Sequence, residues 1–508
     1  MKKILISALL TAAALLPTAC ESWLDQTADS EIRDKEHYST VEGFQQTLTG
    51  CYIGMTDASL YGSYLSWLYP ELLARQFNPV LTTGIGASVQ YFQLYEYARP
   101  SSKEIIDAVW AKAYNVIVNA NAALLEIDAK EALLGPTEYA VIKGELLAVR
   151  AYLHLDLARL FGYGDWAARK AEIDAKNAVP YLEKVDKNAA AQLTMAKFFE
   201  RLTQDLDEAA RLLKAEDPVT GAHPWSYYHE MNADGYYNWR NLHLNYYAVR
   251  ALQARAYLWE GSPASKELAR EAAEEVIRDF LAKSEGNALG NYNIWRWMTA
   301  GDVTTYPAMG LEQIFALNVA GLQETDLPKY YILNYTTNDP QAFFITPARM
   351  EEVYEGSQTD WRAQNNLLSQ TQSGAATQGY VSKKLLHPDG SSFYYNRVPL
   401  IRLPEMYYIA AECYATGATP DTGKAAELLN VVREKRGLYE PLPADLSAER
   451  MMEEIRKEYR KEFLAEGVMF YYYKRLGVAD IPDYDEAMGD RQYLLPYPDF
   501  ETENGRVQ

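Results

Sequence analysis

The sequence predicts a mainly α-helical protein: tetratricopeptide-like helix pairs form a scaffold, and one irregular, partly β sub-lobe accompanies it. Three observations predict this class. Small and apolar residues recur at helical spacing on both sides of a tight break between Pro404 and Gly437. The same arrangement recurs from Ala248 to Phe280. Residues 281–398 show little periodicity and are rich in Gly, Thr, Asn, Tyr and Trp.

The segment from Pro404 to Gly437 is typical of two short amphipathic helices joined by a turn. Its first half places Met406, Ile409 and Cys413 on one helical face, and Gly437 is suited to end the second helix. Each helix can bury its apolar face only against the other helix and a neighbouring pair. The hairpin therefore predicts further copies of itself.

Three further helix pairs are expected along the chain. Ala248 to Phe280 has small residues, a Ser-Pro break and a second Ala-rich helix, which resembles the tetratricopeptide repeat without its full signature. The other two pairs are separated by long inserts: Lys143–Phe161 with Ala196–Leu213, and Val41–Met55 with Ile105–Ile127. Small residues in such pairs let the helices approach closely.

Composition excludes some partners. The chain has 508 residues, of which 48% are hydrophobic, enough for a large core. Its formal net charge of −20 would repel phosphate backbones, so no nucleic-acid partner is expected. Forty Tyr and ten Trp are an unusual number. Most should pack between helices, but Tyr also offers a flat face and a hydroxyl to a polar ligand.

The N-terminus has the layout of a secretory signal. Lys2 and Lys3 precede an apolar run, Ile4 to Leu16, that is too short to span a bilayer, and small residues lead to Cys20. A cysteine at this place is typical of a bacterial lipoprotein, in which Cys20 becomes the acylated first residue of the mature chain. Ordinary cleavage that leaves a free thiol is the alternative.

The sequence contains no pattern that indicates an enzyme or a metal site. The six histidines are spread singly, with no His-Glu-x-x-His, no Gly-x-Ser-x-Gly and no glycine loop for phosphate. No acidic loop fits calcium. Cys51 and Cys413 lie on apolar helical faces and are expected to be buried thiols, although a disulfide between them is open. We expect no catalysis, cofactor or metal.

The first candidate ligand site is the aromatic run that contains Trp295 and Trp297. These residues alternate, so in a strand both indoles would project from one face, with Tyr292 before them and Tyr306 after. Sugar rings stack their C–H faces on aromatic side chains, while Asn and Arg bind hydroxyls, so this composition suits a glycan. A buried strand face would show the same alternation.

The second candidate site lies in the insert between the first two helices. Tyr91 begins an alternating run that ends at Tyr97, and Trp67 lies earlier, between Tyr64 and Tyr69. We predict ligand contacts for Tyr91 and Trp67.

Several stretches together resemble the SusD/RagB family of Bacteroidetes outer-membrane lipoproteins. The resemblance is carried by Cys20–Asp25, Asn119–Ala122, Gly144–Tyr152 with Arg159–Gly162, Arg402–Ala411, Asn430–Gly437 and Ile455–Gly467. After Gly467 the chain departs from the family pattern, with Val468–Tyr473 in place of a His-Arg and aromatic-Asp-Leu step. This departure is typical of a divergent branch.

The resemblance implies a function that composition alone does not. In this family the helical scaffold packs against a TonB-dependent transporter and irregular segments carry the ligand site. The stretches 56–102 and 281–398 match no family motif and should hold that site. A surface lipoprotein of the outer membrane, facing the cell exterior, would then bind an oligosaccharide and deliver it to a SusC-like transporter. RagB-like peptide capture and a structural surface scaffold are the alternatives.

Four segments follow from these patterns: a lipoprotein signal peptide over residues 1–19, the N-terminal part of the scaffold with its inserts over 20–280, an irregular ligand-binding sub-lobe over 281–398, and a C-terminal repeat with a closing helix over 399–508.

Overall fold

A computed structural model describes most of the chain. The described residues are 36–78, 87–185, 190–286, 295–331, 343–364, 368–370, 379–387 and 394–508. The expected signal segment 1–19, Cys20 and Tyr292 lie outside them. Among the described residues, no helix combines the length and apolar character needed to cross a bilayer.

Helices dominate the structure. In chain order they are α1 (Val41–Met55), α2 (Tyr69–Leu73), α3 (Ala87–Gln93), α4 (Pro100–Ile127), α5 (Glu131–Phe161), α6 (Lys170–Ile173), α7 (Met195–Glu216), α8 (Tyr246–Glu260), α9 (Pro263–Gly286), α10 (Leu327–Tyr330), α11 (Pro347–Tyr354), α12 (Leu403–Thr416), α13 (Thr422–Lys435), α14 (Ala448–Glu462), α15 (Met469–Arg475), α16 (Asp490–Tyr493) and α17 (Asp499–Glu503).

Strands are few and short. They are β1 (Gln313–Asn318), β2 (Leu368–Gln370), β3 (Tyr380–Ser382) and β4 (Arg397–Arg402). β1 pairs antiparallel with β4, with Phe315 opposite Ile401, and β2 pairs antiparallel with β3. The partly β content therefore falls in and just after the irregular segment, and the fold is mainly α as the sequence predicts.

The four predicted helix pairs are confirmed. α1 packs on α4, α5 on α7, α8 on α9, and α12 on α13. Successive pairs also contact one another through α4 and α5, α7 and α8, and α9 and α12, and α14 packs on α12. Each pair thus buries its apolar face against a partner and a neighbour, which is how a helical repeat forms one core.

Small residues set how closely the helices approach. A Cβ built on Gly144 of α5 would lie 2.8 Å from Leu213 Cγ of α7, and one on Gly54 of α1 would lie 2.7 Å from Val116 Cγ2 of α4. Such distances are below ordinary contact, so a side chain at either position would push the two helices apart.

Polar side chains define where helices begin. The Thr40 hydroxyl accepts from the Gly43 amide at α1, and the Asn245 side chain accepts from the Tyr247 and Ala248 amides at α8. These caps satisfy amides that have no partner within the helix. α8 ends at Glu260, and the capping residue Gly261 has a φ of +71°, which favours glycine.

The core is one contiguous cluster that runs through all helix pairs, with a small satellite cluster in the irregular segment. Cys51 and Cys413 are buried in the main core and are both free thiols, which confirms the expectation of buried cysteines. Burial raises the pKa of the Cys51 thiol to about 12. No disulfide joins the two helices that carry them.

Candidate functional site

A cleft of about 550 Å³ lies where the first insert, residues 56–102, and the irregular segment, residues 281–398, meet the scaffold. We call these two segments the first and the second insert, and the cleft itself the insert cleft. Its walls come from the first insert, from the first turns of α4, from the segment that follows β1 and from α10. The residues are Thr56, Ala58, Gly62, Ser63, Tyr64, Leu68, Tyr69, Ser101, Glu104, Ile105, Val319, Ala320, Thr325, Asp326, Lys329 and Tyr330. The volume lies within the range of small-molecule sites.

Three tyrosines surround the insert cleft. Tyr64 is partly exposed and meets Tyr69 edge-to-face, with ring centroids 5.0 Å apart. Tyr330 lies across the cleft on α10. Each ring combines an apolar face with a hydroxyl, so the cleft can contact a flat ring and hydrogen-bond its substituents.

Trp67 lies directly beneath this tyrosine layer. Its indole N–H donates to the Gly62 carbonyl at 3.0 Å, its ring centroid is 5.8 Å from that of Tyr330, and its side chain is fully buried. The Tyr331 hydroxyl donates to the Trp67 carbonyl at 2.8 Å. Trp67 thus packs under the cleft and links the first insert to the second through its contacts with Tyr330 and Tyr331.

The hydroxyls of the cleft are held in their neutral form. Burial, followed by the negative charges of Asp326 and Asp57, raises the pKa of Tyr64. Burial, followed by Asp326 and Tyr64, raises the pKa of Tyr330 to about 12. Both hydroxyls therefore stay protonated at neutral pH and can donate hydrogen bonds to a ligand.

Charged groups stand at the rim. Asp326, Glu104 and Lys329 line the cleft and are exposed to solvent. The Lys329 ammonium lies 5.8 Å from the centroid of the Tyr330 ring. Carboxylates accept hydrogen bonds and ammonium groups donate them, so the rim can bind several hydroxyls of a polar ligand.

A buried carboxyl holds the first insert against the end of α14. The Gly467 amide donates to Glu71 Oε1 at 2.6 Å, and burial raises the pKa of Glu71 to about 7. Gly467 has a φ of +72°, and a Cβ there would lie 2.1 Å from the Ser66 carbonyl oxygen. Only glycine fits this contact, which explains why glycine ends the stretch Ile455–Gly467.

The predicted strand around Trp295 and Trp297 is wrong. Neither residue lies in a strand, and the two indoles face different neighbours. Trp295 is 1% exposed and stacks on Phe280 of α9, with centroids 5.0 Å apart. Trp297 is half-buried, 5.3 Å from the Tyr407 ring, and the Arg436 guanidinium lies 5.5 Å from its centroid.

The other predicted site residues lie apart from the insert cleft. Tyr306 is half-buried against Tyr394, 5.2 Å between centroids. Tyr91 lies in α3, not in an extended segment, and the Arg99 guanidinium covers its ring at 5.0 Å. The alternation from Tyr91 to Tyr97 therefore does not place its aromatic residues on one strand face. Tyr292 lies outside the described residues, and ligand contacts of all these residues stay predictions.

The sequence placed a site in the two segments that line the insert cleft, but it named few of the residues that line it. Both stretches that match no family motif contribute to the insert cleft, and so do Tyr64 and Tyr69, which flank Trp67. Tyr330, Asp326 and Lys329 were missed. Their only local signal is a charged and aromatic run inside an irregular segment, which many surface loops share.

In the part of the chain that the structure describes, no group of three or more His, Cys, Asp or Glu side chains is arranged to hold a metal ion. The donor set of the insert cleft, with hydroxyls, two carboxylates and one ammonium group, suits a neutral polar ligand.

Two family models match the chain. Residues 321–504 match the model described as the SusD family. Residues 22–226 match a model described as "Starch-binding associating with outer membrane". The two matches lie on either side of the middle of the chain and do not overlap. No curated protein matches the chain.

Solved structures share the whole fold. A SusD superfamily protein from Bacteroides thetaiotaomicron has a TM-score of 0.69 and 22% identity, over 92% of this chain and 99% of that one. Two proteins from Bacteroides vulgatus also match: a putative sugar binding protein (TM-score 0.65, 21% identity, 92% and 98% covered) and a SusD-like carbohydrate binding protein (0.68, 19%, 92% and 97%). At these identities the likeness shows a common fold.

Proposed function

Because this chain belongs to the SusD/RagB family, we propose that it binds an oligosaccharide at the bacterial surface and delivers it to a SusC-like TonB-dependent transporter. One observation carries the proposal: the insert cleft joins Tyr64 and Tyr69 of one insert to Tyr330 of the other on a rigid helical scaffold. The site thus has the aromatic faces and the hydrogen-bonding groups that a sugar chain needs.

The insert cleft is suited to binding a ligand without catalysing a reaction on it. The Tyr64 ring is accessible to the C–H face of a sugar, and the Asp326 and Lys329 side chains are placed to exchange hydrogen bonds with its hydroxyls. Such contacts bind the ligand but do not activate a nucleophile. We therefore assign no catalytic residue and propose a binding protein rather than an enzyme.

The comparisons support the choice of ligand class. One matching family model is described as starch-binding, and two structural neighbours are described as sugar or carbohydrate binding proteins. Those descriptions belong to the family model and to those proteins. For this chain they agree with a cleft of tyrosines and rim charges.

Attachment to the outer membrane is the second part of the proposal. We propose that Cys20 is acylated after removal of residues 1–19 and that the lipid anchors the protein on the exterior side. The model that matches residues 22–226 supports this location, since its description includes association with the outer membrane. A tether at the transporter would raise the local ligand concentration at its entrance.

Replacing Tyr64 with alanine tests the insert cleft directly. We expect Tyr64→Ala to weaken glycan binding about tenfold, or about 1.4 kcal/mol, because a partly exposed ring that stacks on the ligand is lost. The matched control is Tyr439→Ala, since Tyr439 is 74% exposed and lies outside the insert cleft. Binding of both variants and the parent is measured by calorimetry on a panel that includes starch-derived glycans.

The same panel includes extended peptides. Peptide binding with no glycan binding would contradict the oligosaccharide and favour peptide capture at this cleft. Equal glycan affinities for Tyr64→Ala, Tyr439→Ala and the parent would show that the sugar binds elsewhere. Hydrolysis products in the incubated mixture would contradict the assignment as a binding protein.

A further inference from the structure

A second, larger cavity of about 1390 Å³ lies next to the insert cleft. We call it the C-terminal cleft, because one of its walls is formed by residues between Asp490 and Gln508. The opposite wall is the segment from Tyr95 to Arg99, and the end of α5 closes one side. Its volume exceeds that of the insert cleft more than twofold.

The two clefts share one wall, which is the beginning of α4. Ser101, Glu104 and Ile105 line the insert cleft, and they are spaced three and four residues apart, on one face of the helix. Arg99 and Lys103 line the C-terminal cleft. Lys103 therefore points away from the insert cleft, and only the first turn of a helix about 10–12 Å in diameter separates the two spaces.

An aromatic layer runs beneath both clefts. Tyr64 meets Tyr69 in the insert cleft, and the Tyr69 ring lies 4.3 Å from that of Phe92. Phe92 in turn lies 5.8 Å from Tyr97, which lines the C-terminal cleft. The floor is thus continuous in the protein interior from one cleft to the other.

The C-terminal cleft has its own aromatic surfaces. Tyr497 stacks on Phe161 with an interplanar angle of 6° and centroids 5.9 Å apart, so the Tyr497 ring is held rigidly. Tyr163 is partly exposed, and the Lys176 ammonium lies 5.2 Å from its centroid. Rigid rings at the wall of an open cleft suit stacking against a flat, neutral ligand.

Each charged side chain that lines the C-terminal cleft has a partner of opposite charge, either in the cleft or beside it. Glu96 pairs with Arg99 at 2.5 Å, and Lys103 pairs with Asp499 at 2.6 Å. These pairs are solvent-exposed, where an ion pair contributes only about 0–1 kcal/mol. A ligand can therefore exchange hydrogen bonds with them at little cost, and no sign of charge is favoured.

We propose that the C-terminal cleft provides further subsites for the same oligosaccharide chain, one end of which lies in the insert cleft. The glycan crosses the beginning of α4 at Arg99, which lines the C-terminal cleft, and at Pro100; both residues are exposed. This inference rests on the proposed function. It defines the ligand as a neutral chain long enough to bridge one helix.

Bridging makes affinity depend on chain length. A short oligosaccharide fills the insert cleft only, whereas a long one also occupies the C-terminal cleft, whose contacts form at high effective concentration once the first end is bound. The full chain should therefore bind a long glycan more tightly than a short one of the same kind.

A blocking substitution tests the bridge without removing any contact. Ala175 is exposed and lines the C-terminal cleft, so Ala175→Trp places a large side chain in it. Ala171 is exposed four residues earlier and lines neither cleft, so Ala171→Trp is the matched control. Binding is measured by calorimetry with maltotriose and a long maltodextrin, or with short and long members of whichever glycan series binds. The affinity for the short and for the long chain is compared between the two variants.

We expect Ala175→Trp to weaken binding of the long chain about tenfold and to leave that of the short chain unchanged. Ala171→Trp should change neither. Tyr163→Ala should also weaken binding of the long chain only, because it removes an aromatic ring from the C-terminal cleft. An unchanged affinity for the long chain in both Ala175→Trp and Tyr163→Ala would overturn the bridge while the proposed function stands. Absence of glycan binding to the parent chain would overturn both, and the two failures are therefore distinguishable.

Discussion

At the scale of single residues, neighbours in sequence have different roles. Tyr64 and Trp67 are three residues apart in one π-helical turn, yet Tyr64 is partly exposed in the insert cleft and Trp67 is fully buried beneath it. Burial of Trp67 leaves neither its carbonyl nor its indole N–H unpaired, because both have partners inside the protein. The buried Trp67 indole therefore fixes the turn that places the Tyr64 ring in the insert cleft.

Glu71 makes the stability of the contact between the first insert and Gly467 depend on pH. Burial raises the pKa of this carboxyl to about 7, so the folded state binds its proton more tightly than the unfolded chain. The stability that this proton provides is complete below about pH 4.5 and is lost as pH rises through 7. We expect Glu71→Gln to be about 2–3 kcal/mol more stable than the parent at pH 8 and equally stable at pH 4.5.

The measurement is chemical denaturation of both proteins across this pH range. Glutamine keeps an oxygen for the Gly467 amide and carries no charge, so it mimics the protonated carboxyl. Parallel pH profiles for the two proteins would contradict a buried, proton-binding Glu71.

At the scale of elements, α14 joins the irregular segment to the scaffold by buried charges. Its Glu462 binds Arg402 of β4 and Arg436 after α13, and Arg436 also binds Glu312 just before β1. Burial by itself would raise the pKa of Glu462, but the Arg436 and Arg402 guanidinium groups outweigh it and hold the pKa well below its usual range. A helix that was predicted as the closing element thus fixes the β1–β4 sheet, and β1 is followed directly by Val319 and Ala320 of the insert cleft.

Glu458 on α14 tests this junction. Burial opposes its ionisation, but Arg362 and Lys461 lower its pKa from 4.5 to about 2, so its contribution is present above pH 4.5 and is lost as pH falls toward 2. We expect Glu458→Gln to lower the free energy of unfolding by about 3–5 kcal/mol at pH 7, because it removes one of the three carboxylates that balance the buried Arg362 guanidinium.

The matched control is Glu453→Gln on the exposed face of the same helix, which should change the free energy of unfolding by less than about 1 kcal/mol. Denaturation at pH 7 and pH 3 should show a smaller difference between Glu458→Gln and the parent at the lower pH. A difference that grows toward pH 3 would contradict the direction of the pKa shift.

At the scale of the whole molecule, the proposed lipid at Cys20 decides where the protein works. We expect Cys20→Ala to abolish incorporation of radiolabelled palmitate and to release the protein from the outer-membrane fraction, because a single acylated residue carries the anchor. Cys51→Ala is the control, since its thiol is buried in the core and unavailable to a lipid. Palmitate retained in Cys20→Ala would contradict the anchor.

The scaffold could be predicted from sequence because its signal is local. Helical spacing around Met406 and Ile409, or from Ala248 to Phe280, depends on residues within a few helical turns. A helix pair must also bury its apolar face against another pair. All four pairs and the closing helix follow from this spacing. The same reasoning failed for Trp295, where a two-residue alternation lies in a coil that folds back on Phe280.

The sequence by itself determined the helical pairs, their order and the two segments that could carry a site. Only the tertiary structure decided which aromatic side chains meet there. Tyr64 and Tyr330 are separated by more than half the chain and come together because Trp67 and Tyr331 pack between the inserts. Burial of one ring and exposure of its neighbour depend on such distant contacts, and no local spacing records them.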